Sequence, residues 1–215
     1  MCRKGIYVNS ILRNMDDKKR DSIINAAIKE FSLYPYEKAS TNNIVKNAGI
    51  SKGLLFHYFG NKKELYEKII GFVLNKVAGE LMGKSNYDET DVLERIKQLI
   101  IVKMEIGKIY PNMFVFIFKV LGYEKIATAD ETIDFYNKYG INVQEYLTDV
   151  YTRNIDFSKF RDQESITESM NIFRWTLEKY SEEQLATFAT TQTIDYDKII
   201  DNIDKYINVL KKAFY

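Results

Sequence analysis

The chain has 215 residues, of which 46% are apolar and 28% charged, and its formal net charge is +1. A single cysteine, Cys2, rules out an intramolecular disulfide and a cysteine-based zinc site, and a single histidine, His57, rules out a histidine-rich metal centre. No uninterrupted apolar run approaches the ~18 residues of a membrane-spanning helix, and residues 1–14 lack the apolar core of a secretory signal. We therefore expect a cytoplasmic protein without metal or cofactor.

The charge is unevenly distributed along the chain. Residues 1–62 hold 11 Lys and Arg against 5 Asp and Glu, whereas residues 63–215 hold 20 against 25. This asymmetry is compatible with a basic N-terminal module on an acidic body, but by itself it does not separate that interpretation from chance.

Helical periodicity begins at Asp17. Apolar residues at Ile24, Ile28 and Phe31 form one stripe of a helix over 17–33, which ends before Pro35 because proline disfavours helical geometry in the preceding residue.

Three helix starts follow at short intervals. Side chains in the run Ser40–Asn43 can cap a short helix that Gly49 ends. Ser51 can cap a second short helix, and Asn61 a longer one that extends to about Leu81.

The remaining pattern is also helical and contains no sustained strand alternation. It predicts an all-α fold, with polar connections over 153–163 and 181–195, the second of which could contain a helical turn. The predicted helices lie around 90–108, 111–122, 131–152, 164–180 and 196–213.

The last two helices carry apolar seams of the coiled-coil kind, with residues three and four positions apart. We expect them to form a four-helix interface in a homodimer. The alternative is that the same seams pack within one chain. The seam residues are Ile166, Met170, Phe173, Leu177 and Tyr180, followed by Ile200, Ile203, Ile207, Leu210 and Phe214.

The two short helices around Gly49 have the proportions of a helix-turn-helix, whose second helix lies in a DNA major groove. Gly53 in the first turn of that second helix costs up to ~1 kcal/mol against alanine, which makes sense if another surface approaches closely. Lys62 at a helix N-terminus opposes the helix dipole, and a bound phosphate would reverse that effect.

Residues 41–65, TNNIVKNAGISKGLLFHYFGNKKEL, resemble the DNA-binding domain of the tetracycline-repressor (TetR) family, and the resemblance extends closely over residues 17–70. It implies that Lys52 and Gly53 meet base edges and that Thr41, Tyr58 and Lys62 hold phosphates. Phe56 stands where the family more often has tyrosine, so it cannot hydrogen-bond a phosphate, although its ring could contact a thymine methyl group. The expected DNA-binding residues are Thr41, Asn42, Lys52, Gly53, Phe56, His57, Tyr58 and Lys62.

The resemblance implies a dimeric repressor that binds a palindromic operator in double-stranded DNA and is released by a small-molecule effector. We expect residues 15–62 to form the DNA-binding domain and 63–215 the ligand-binding and dimerisation domain, with residues 1–14 as an extension outside the folded domain. Alternatives are a helical interaction module, or a DNA-binding protein of the nucleoid or of cell division that has no small-molecule inducer.

Aromatic residues are concentrated in the body, with 21 of 30 after residue 84. Core packing explains any single one, but together they could line a largely apolar effector site. We expect that site to involve Phe114, Phe118, Tyr139, Tyr146, Phe173 and Trp175. An enzyme is disfavoured because no phosphate-cradling glycine loop or nucleotide motif occurs.

Overall fold

A computed structural model describes residues 16–123, 129–191 and 193–215, so the expected extension at residues 1–14 lies outside the described residues. The all-α prediction is confirmed: the described residues form helices and no strand. The α-helices are α1 (Asp17–Leu33), α2 (Thr41–Ala48), α3 (Lys52–Phe59), α4 (Lys62–Gly83), α5 (Val92–Ile109), α6 (Pro111–Tyr123), α7 (Ala129–Lys138), α8 (Val143–Thr152), α9 (Ile166–Thr191) and α10 (Tyr196–Phe214). No helix in the described part of the chain is long and apolar enough to cross a membrane.

The chain divides into two compact units. Unit 1 takes the described residues of Met1–Ala78 together with Tyr110–Ile141, and unit 2 takes Gly79–Ile109 and Asn142–Tyr215. Helices α6 and α7 therefore belong to the same compact unit as α1, α2 and α3. The functional division expected at residues 62 and 63 stays a prediction.

Unit 1 is built around an aromatic and aliphatic core. Phe31 on α1 contacts Tyr66 of α4 edge-on, with ring centroids 4.9 Å apart, and stacks on Phe116 of α6 at 6.0 Å. Lys119 of α6 also donates a hydrogen bond of 3.1 Å to the carbonyl oxygen of Leu33. This bond satisfies a carbonyl group at the C-terminal end of α1 and places a cation where the helix dipole favours one.

Unit 2 is held together by polar groups as well as by apolar packing. Arg95 of α5 is 1% exposed, and its guanidinium donates to the backbone carbonyl groups of Glu89, Val150 and Arg153. The bonds to Val150 and Arg153 tie α5 to the C-terminal end of α8. Without them, the buried guanidinium and carbonyl groups would carry a large desolvation cost.

Two predicted boundaries are wrong. The single helix expected over 131–152 is interrupted, because Gly140 adopts a left-handed conformation with φ 75° and Asn142 then caps α8 by accepting the Glu145 N–H at 3.0 Å. The helix expected to end near residue 180 continues to Thr191 as α9. Phe188 in that continuation is buried, so the stretch expected to be a polar connection contributes an apolar side chain to the core.

The predicted dimer seams are wrong at their central positions. Phe173 is buried between Phe160 and Phe214, with ring centroids 5.8 Å and 5.1 Å away. The single chain also buries four other seam residues, Tyr180, Ile203, Ile207 and Leu210. The periodicity correctly identifies an apolar stripe on each helix, but the stripe packs inside unit 2.

Candidate nucleic-acid interface

The N-terminal end of α2 is held by a buried carboxylate. Glu30 of α1 is 4% exposed, and its Oε1 atom accepts hydrogen bonds from the Ser40 N–H at 2.8 Å and from Nδ2 of Asn43 at 3.2 Å. The Ser40 hydroxyl also accepts the Asn43 N–H at 3.4 Å. A negative charge beside the first turn of a helix complements its dipole. Glu30 thereby joins α1 to the start of α2.

The turn between α2 and α3 follows its local sequence. Gly49 adopts φ 66°, a left-handed conformation that residues with a Cβ atom rarely take, and the Ile50 N–H donates to the Val45 carbonyl group at 3.1 Å. The Ser51 hydroxyl then accepts the Leu54 N–H at 3.2 Å and caps α3, as predicted. The other end of α2 is joined to α1 by a bond of 2.9 Å from the Ser22 hydroxyl to the Ala48 carbonyl group.

Helix α3 has one face in the core of unit 1 and one face outside. Leu55 and Phe59 are fully buried. Lys52, Gly53 and His57 are exposed, and Phe56 and Tyr58 are half-buried. This division leaves an outward stripe at positions 52, 53, 56 and 57, which is the geometry that a groove-reading helix requires.

The Lys62 ammonium is held by the loop between α1 and α2. Its Nζ atom donates to the carbonyl oxygen of Glu37 at 3.2 Å and lies 4.8 Å from the centroid of the Tyr36 ring. These contacts stabilise a cation at the N-terminal end of α4, where the helix dipole opposes it. An ammonium group has three donors, so a phosphate oxygen can bind without breaking the bond to Glu37.

The remaining predicted DNA contacts occupy exposed or half-exposed positions. Asn42 is exposed and Thr41 half-buried in the first turn of α2. Lys52 places its Nζ atom 5.9 Å from the centroid of the Phe56 ring, and His57 meets the Tyr58 ring edge-on with centroids 5.0 Å apart. Unit 1 therefore contains all eight predicted DNA-binding residues, none of them fully buried.

The start of α4 is fastened next to this surface. The Asn61 side chain accepts the Glu64 N–H at 3.0 Å and donates to Glu64 Oε1 at 2.6 Å, which is close to the predicted capping box. Gly60 adopts φ 76°, and its N–H donates to the Phe56 carbonyl group at 2.8 Å. These bonds fix the direction in which α4 leaves α3.

The family profile described as "Bacterial regulatory proteins, tetR family" matches residues 23–69, which run from within α1 to the first third of α4 and contain α2 and α3. Residues 23–69 are therefore similar to the DNA-binding domain of the TetR family. The predicted resemblance is thus confirmed.

Curated transcriptional regulators match less than half of the chain. The chain is 30% identical over 94 residues to the HTH-type transcriptional regulator RutR of Escherichia coli strain K12, covering 44% of this chain and 43% of RutR. It is 34% identical over 71 residues to IcaR of Staphylococcus aureus strain Newman, a negative transcriptional regulator of the biofilm operon icaADBC, covering 32% and 38%. The match therefore spans less than half the length of each relative, and both relatives are transcriptional regulators.

The similarity in fold extends further than the similarity in sequence. The structure of FadR from Bacillus halodurans, a fatty acid degradation regulator, covers 89% of this chain and 97% of its own, with a TM-score of 0.60 and 16% identity. At that identity the likeness concerns the fold alone.

Sequence reasoning missed the residues that support the TetR-type surface. Glu30 was visible as an acidic residue interrupting the apolar face of α1, but its partners were not. The contacts of Lys62 with Glu37 and Tyr36 had no local signal, because 25 positions separate Lys62 from Glu37 in the sequence.

The six residues expected at an effector site are not brought together in one unit. Phe114, Phe118 and Tyr139 belong to unit 1, whereas the other three belong to unit 2. Within unit 2 they have different surroundings: Tyr146 shares a hydrogen bond of 3.0 Å with Ser85, Phe173 lies in the core, and Trp175 is 57% exposed.

Unit 1 contains a small apolar crevice elsewhere. Its walls come from α4, α6 and α7, and none of the six expected residues lines it. The lining side chains are Ile70, Leu74, Phe116, Ile117, Val120 and Phe135. The crevice has no room for a water molecule, whereas sites for drug-sized ligands usually measure ~300–1,000 Å³, so any ligand would require the crevice to open.

Proposed function

We propose that this chain is a DNA-binding transcriptional regulator, and specifically a dimeric repressor that a small-molecule effector releases from a palindromic operator in the cytoplasm. The observation that carries the proposal is the division of α3 between a buried face and an outward stripe, next to a preorganised Lys62. The relatives RutR and IcaR support it as named transcriptional regulators. The chain acts by binding, and we assign it no catalytic role.

Within this proposal, Lys52 and Lys62 have different tasks. Lys52 is exposed at the start of α3 and reaches base edges, so Lys52→Ala costs ~1–3 kcal/mol of operator binding and relaxes sequence preference. Lys62 holds a phosphate, so Lys62→Ala weakens binding to every duplex alike. It also lowers the slope of log affinity against log salt by about one for each helix-turn-helix domain.

The experiment that tests the function is selection of bound duplexes from a random-sequence pool, followed by titration at several salt concentrations. Lys84→Ala is the matched control, because Lys84 is an exposed lysine in unit 2 that lies outside α9 and α10. A parent protein that binds no duplex in a salt-dependent manner contradicts the proposal. The same conclusion follows if the Lys52 and Lys62 variants both bind every duplex as the parent does.

The homodimer that we propose uses surfaces of α9 and α10 other than the predicted seams. Ile172 and Trp175, three positions apart on α9, are 39% and 57% exposed, and Tyr206 and Val209 on α10 are 42% and 64% exposed. Exposed large apolar side chains in such pairs are typical of the centre of a protein interface. Light scattering at micromolar concentration tests the dimer, and a monomer would contradict it.

The effector that we propose is largely apolar and enters the crevice among α4, α6 and α7. Phe116 lines that crevice and also stacks on Phe31 of α1, so displacement of its ring acts directly on the helix that holds α2 through Glu30. The effector then weakens operator binding by the same factor by which the operator weakens effector binding. Mass spectrometry of the purified protein identifies bound molecules. Calorimetry then tests reciprocity, and equal affinity for free and operator-bound protein excludes a molecule as the inducer.

A further inference from the structure

A lysine lies in the middle of an apolar face of α5. Residues three, four and seven positions apart lie on the same side of a helix, and at those spacings from Lys103 the helix carries only apolar side chains and a glycine. The Lys103 face consists of Lys103 with Ile96, Leu99, Ile100, Ile106 and Gly107. Ile96, Ile106 and Gly107 are buried, so protein covers this face of α5.

The Lys103 side chain borders open space within this covered face. It is exposed, although Ile106 and Gly107 beside it on the helix are buried. A lysine on the outer surface keeps its ammonium group in water, whereas burial lowers the pKa of Lys103 below its ordinary value of 10.5. The two properties together indicate a recess. Space beside the side chain is open to a small molecule, while the surrounding protein limits hydration of the ammonium group.

The ammonium group of Lys103 has no partner among the residues that the structure describes. It forms no hydrogen bond or ion pair with them, and no neighbouring charge of either sign contributes to its pKa shift. The other two lysines of α5 differ, because Lys97 and Lys108 pair with Asp204 and Asp197 of α10 at 2.5 Å and 2.6 Å. Lys103 therefore offers a single uncompensated positive charge.

We propose that the Lys103 face is a binding site for a small molecule that has a carboxylate and an apolar body, and that Lys103 pairs with the carboxylate. One uncompensated positive charge matches one negative charge, and an ion pair offsets the cost of burying an ammonium group. Leu99 and Ile100 are only half-buried and offer apolar surface to the rest of the molecule. Lys103 does not line the crevice of unit 1, so this inference adds a second ligand site.

Matched pairs of probes test the site. Octanoate, decanoate and phenylbutanoate are each compared by calorimetry with the alcohol that has the same apolar body, so that each pair differs in the head group alone. At least one carboxylate should bind the full chain roughly 10- to 100-fold more tightly than its alcohol, which is the effect of hydrogen bonding between charged groups. If no carboxylate binds more tightly than its alcohol, the proposal is wrong.

Variants assign the preference to Lys103. Lys103→Met keeps the length of the side chain and removes the charge, so the carboxylate should lose its advantage over the alcohol. The alcohol should bind this variant at least as tightly as it binds the parent, which shows that the recess is intact. Lys108→Met is the matched control, because Lys108 is an exposed lysine on another side of α5, and it should bind both probes as the parent does. If Lys103→Met keeps the full preference for the carboxylate, the anionic group binds elsewhere and the proposal is refuted.

These measurements contain no DNA and are separate from the proposed function. A chain that binds duplexes in a salt-dependent manner but prefers no carboxylate is a regulator without this site. A chain that binds the carboxylate through Lys103 but binds no duplex has this site and lacks the proposed function.

Discussion

Replacement of Glu30 tests whether a buried carboxylate positions the DNA-contacting end of α2. The Oε1 atom of Glu30 accepts two hydrogen bonds, from the Ser40 N–H and the Asn43 side chain. A hydrogen bond to a charged group contributes ~1.5–3 kcal/mol, and water can partly replace the carboxylate at half-buried Ser40 and exposed Asn43. Glu30→Ala should therefore lower the free energy of unfolding by ~2–4 kcal/mol. Glu30→Gln keeps an oxygen acceptor without the charge and should cost ~1 kcal/mol.

The assay is urea unfolding followed by circular dichroism, at one fixed protein concentration because dimerisation would contribute to apparent stability. Glu37→Ala is the control, since Glu37 is an exposed acidic residue of the loop that follows α1, and it should unfold like the parent. The reasoning is refuted if Glu30→Ala stays within ~0.5 kcal/mol of the parent, which is the range of ordinary surface substitutions. The reasoning is also refuted if Glu30→Ala loses no more free energy of unfolding than Glu37→Ala does.

Three further outcomes are expected. Lys119→Met removes the cation from the end of α1 and should lower the free energy of unfolding by ~1 kcal/mol; an unchanged urea midpoint contradicts this. Trp175→Glu, which places a charge on the exposed face of α9, should give a monomer by light scattering, and a persistent dimer excludes that face. Burial by itself would raise the pKa of Asp91, but hydrogen bonds from the Glu94 N–H, Lys211 and Tyr215 outweigh burial and hold that pKa below its ordinary value of 3.8. Its contribution to stability is thus present above pH 3.8 and lost as the pH falls further. The free energy of unfolding of Asp91→Asn, measured in urea, should fall less steeply with decreasing pH than that of the parent. Equal slopes for the two proteins would contradict the assignment.

Local signals in the sequence determined the helix-turn-helix segment. Ser51 and Asn61 cap α3 and α4 as predicted, and Gly49 supplies the left-handed turn. These features depend on residues within four positions of one another, so the local sequence is sufficient to predict them. The surface placement of Lys52 could also be inferred, because the buried partners Leu55 and Phe59 of α3 define the opposite face.

The partners of each apolar or charged side chain were decided by the tertiary structure. The stripe through Phe173 was visible in the sequence, yet only the packed structure shows that Phe160 and Phe214 of the same chain cover it. In the same way, the sequence marked Lys62 as unusual, but not the carbonyl group of Glu37 that holds it. Periodicity specifies which face of a helix is apolar, whereas the surface that covers that face depends on contacts between residues far apart in the chain.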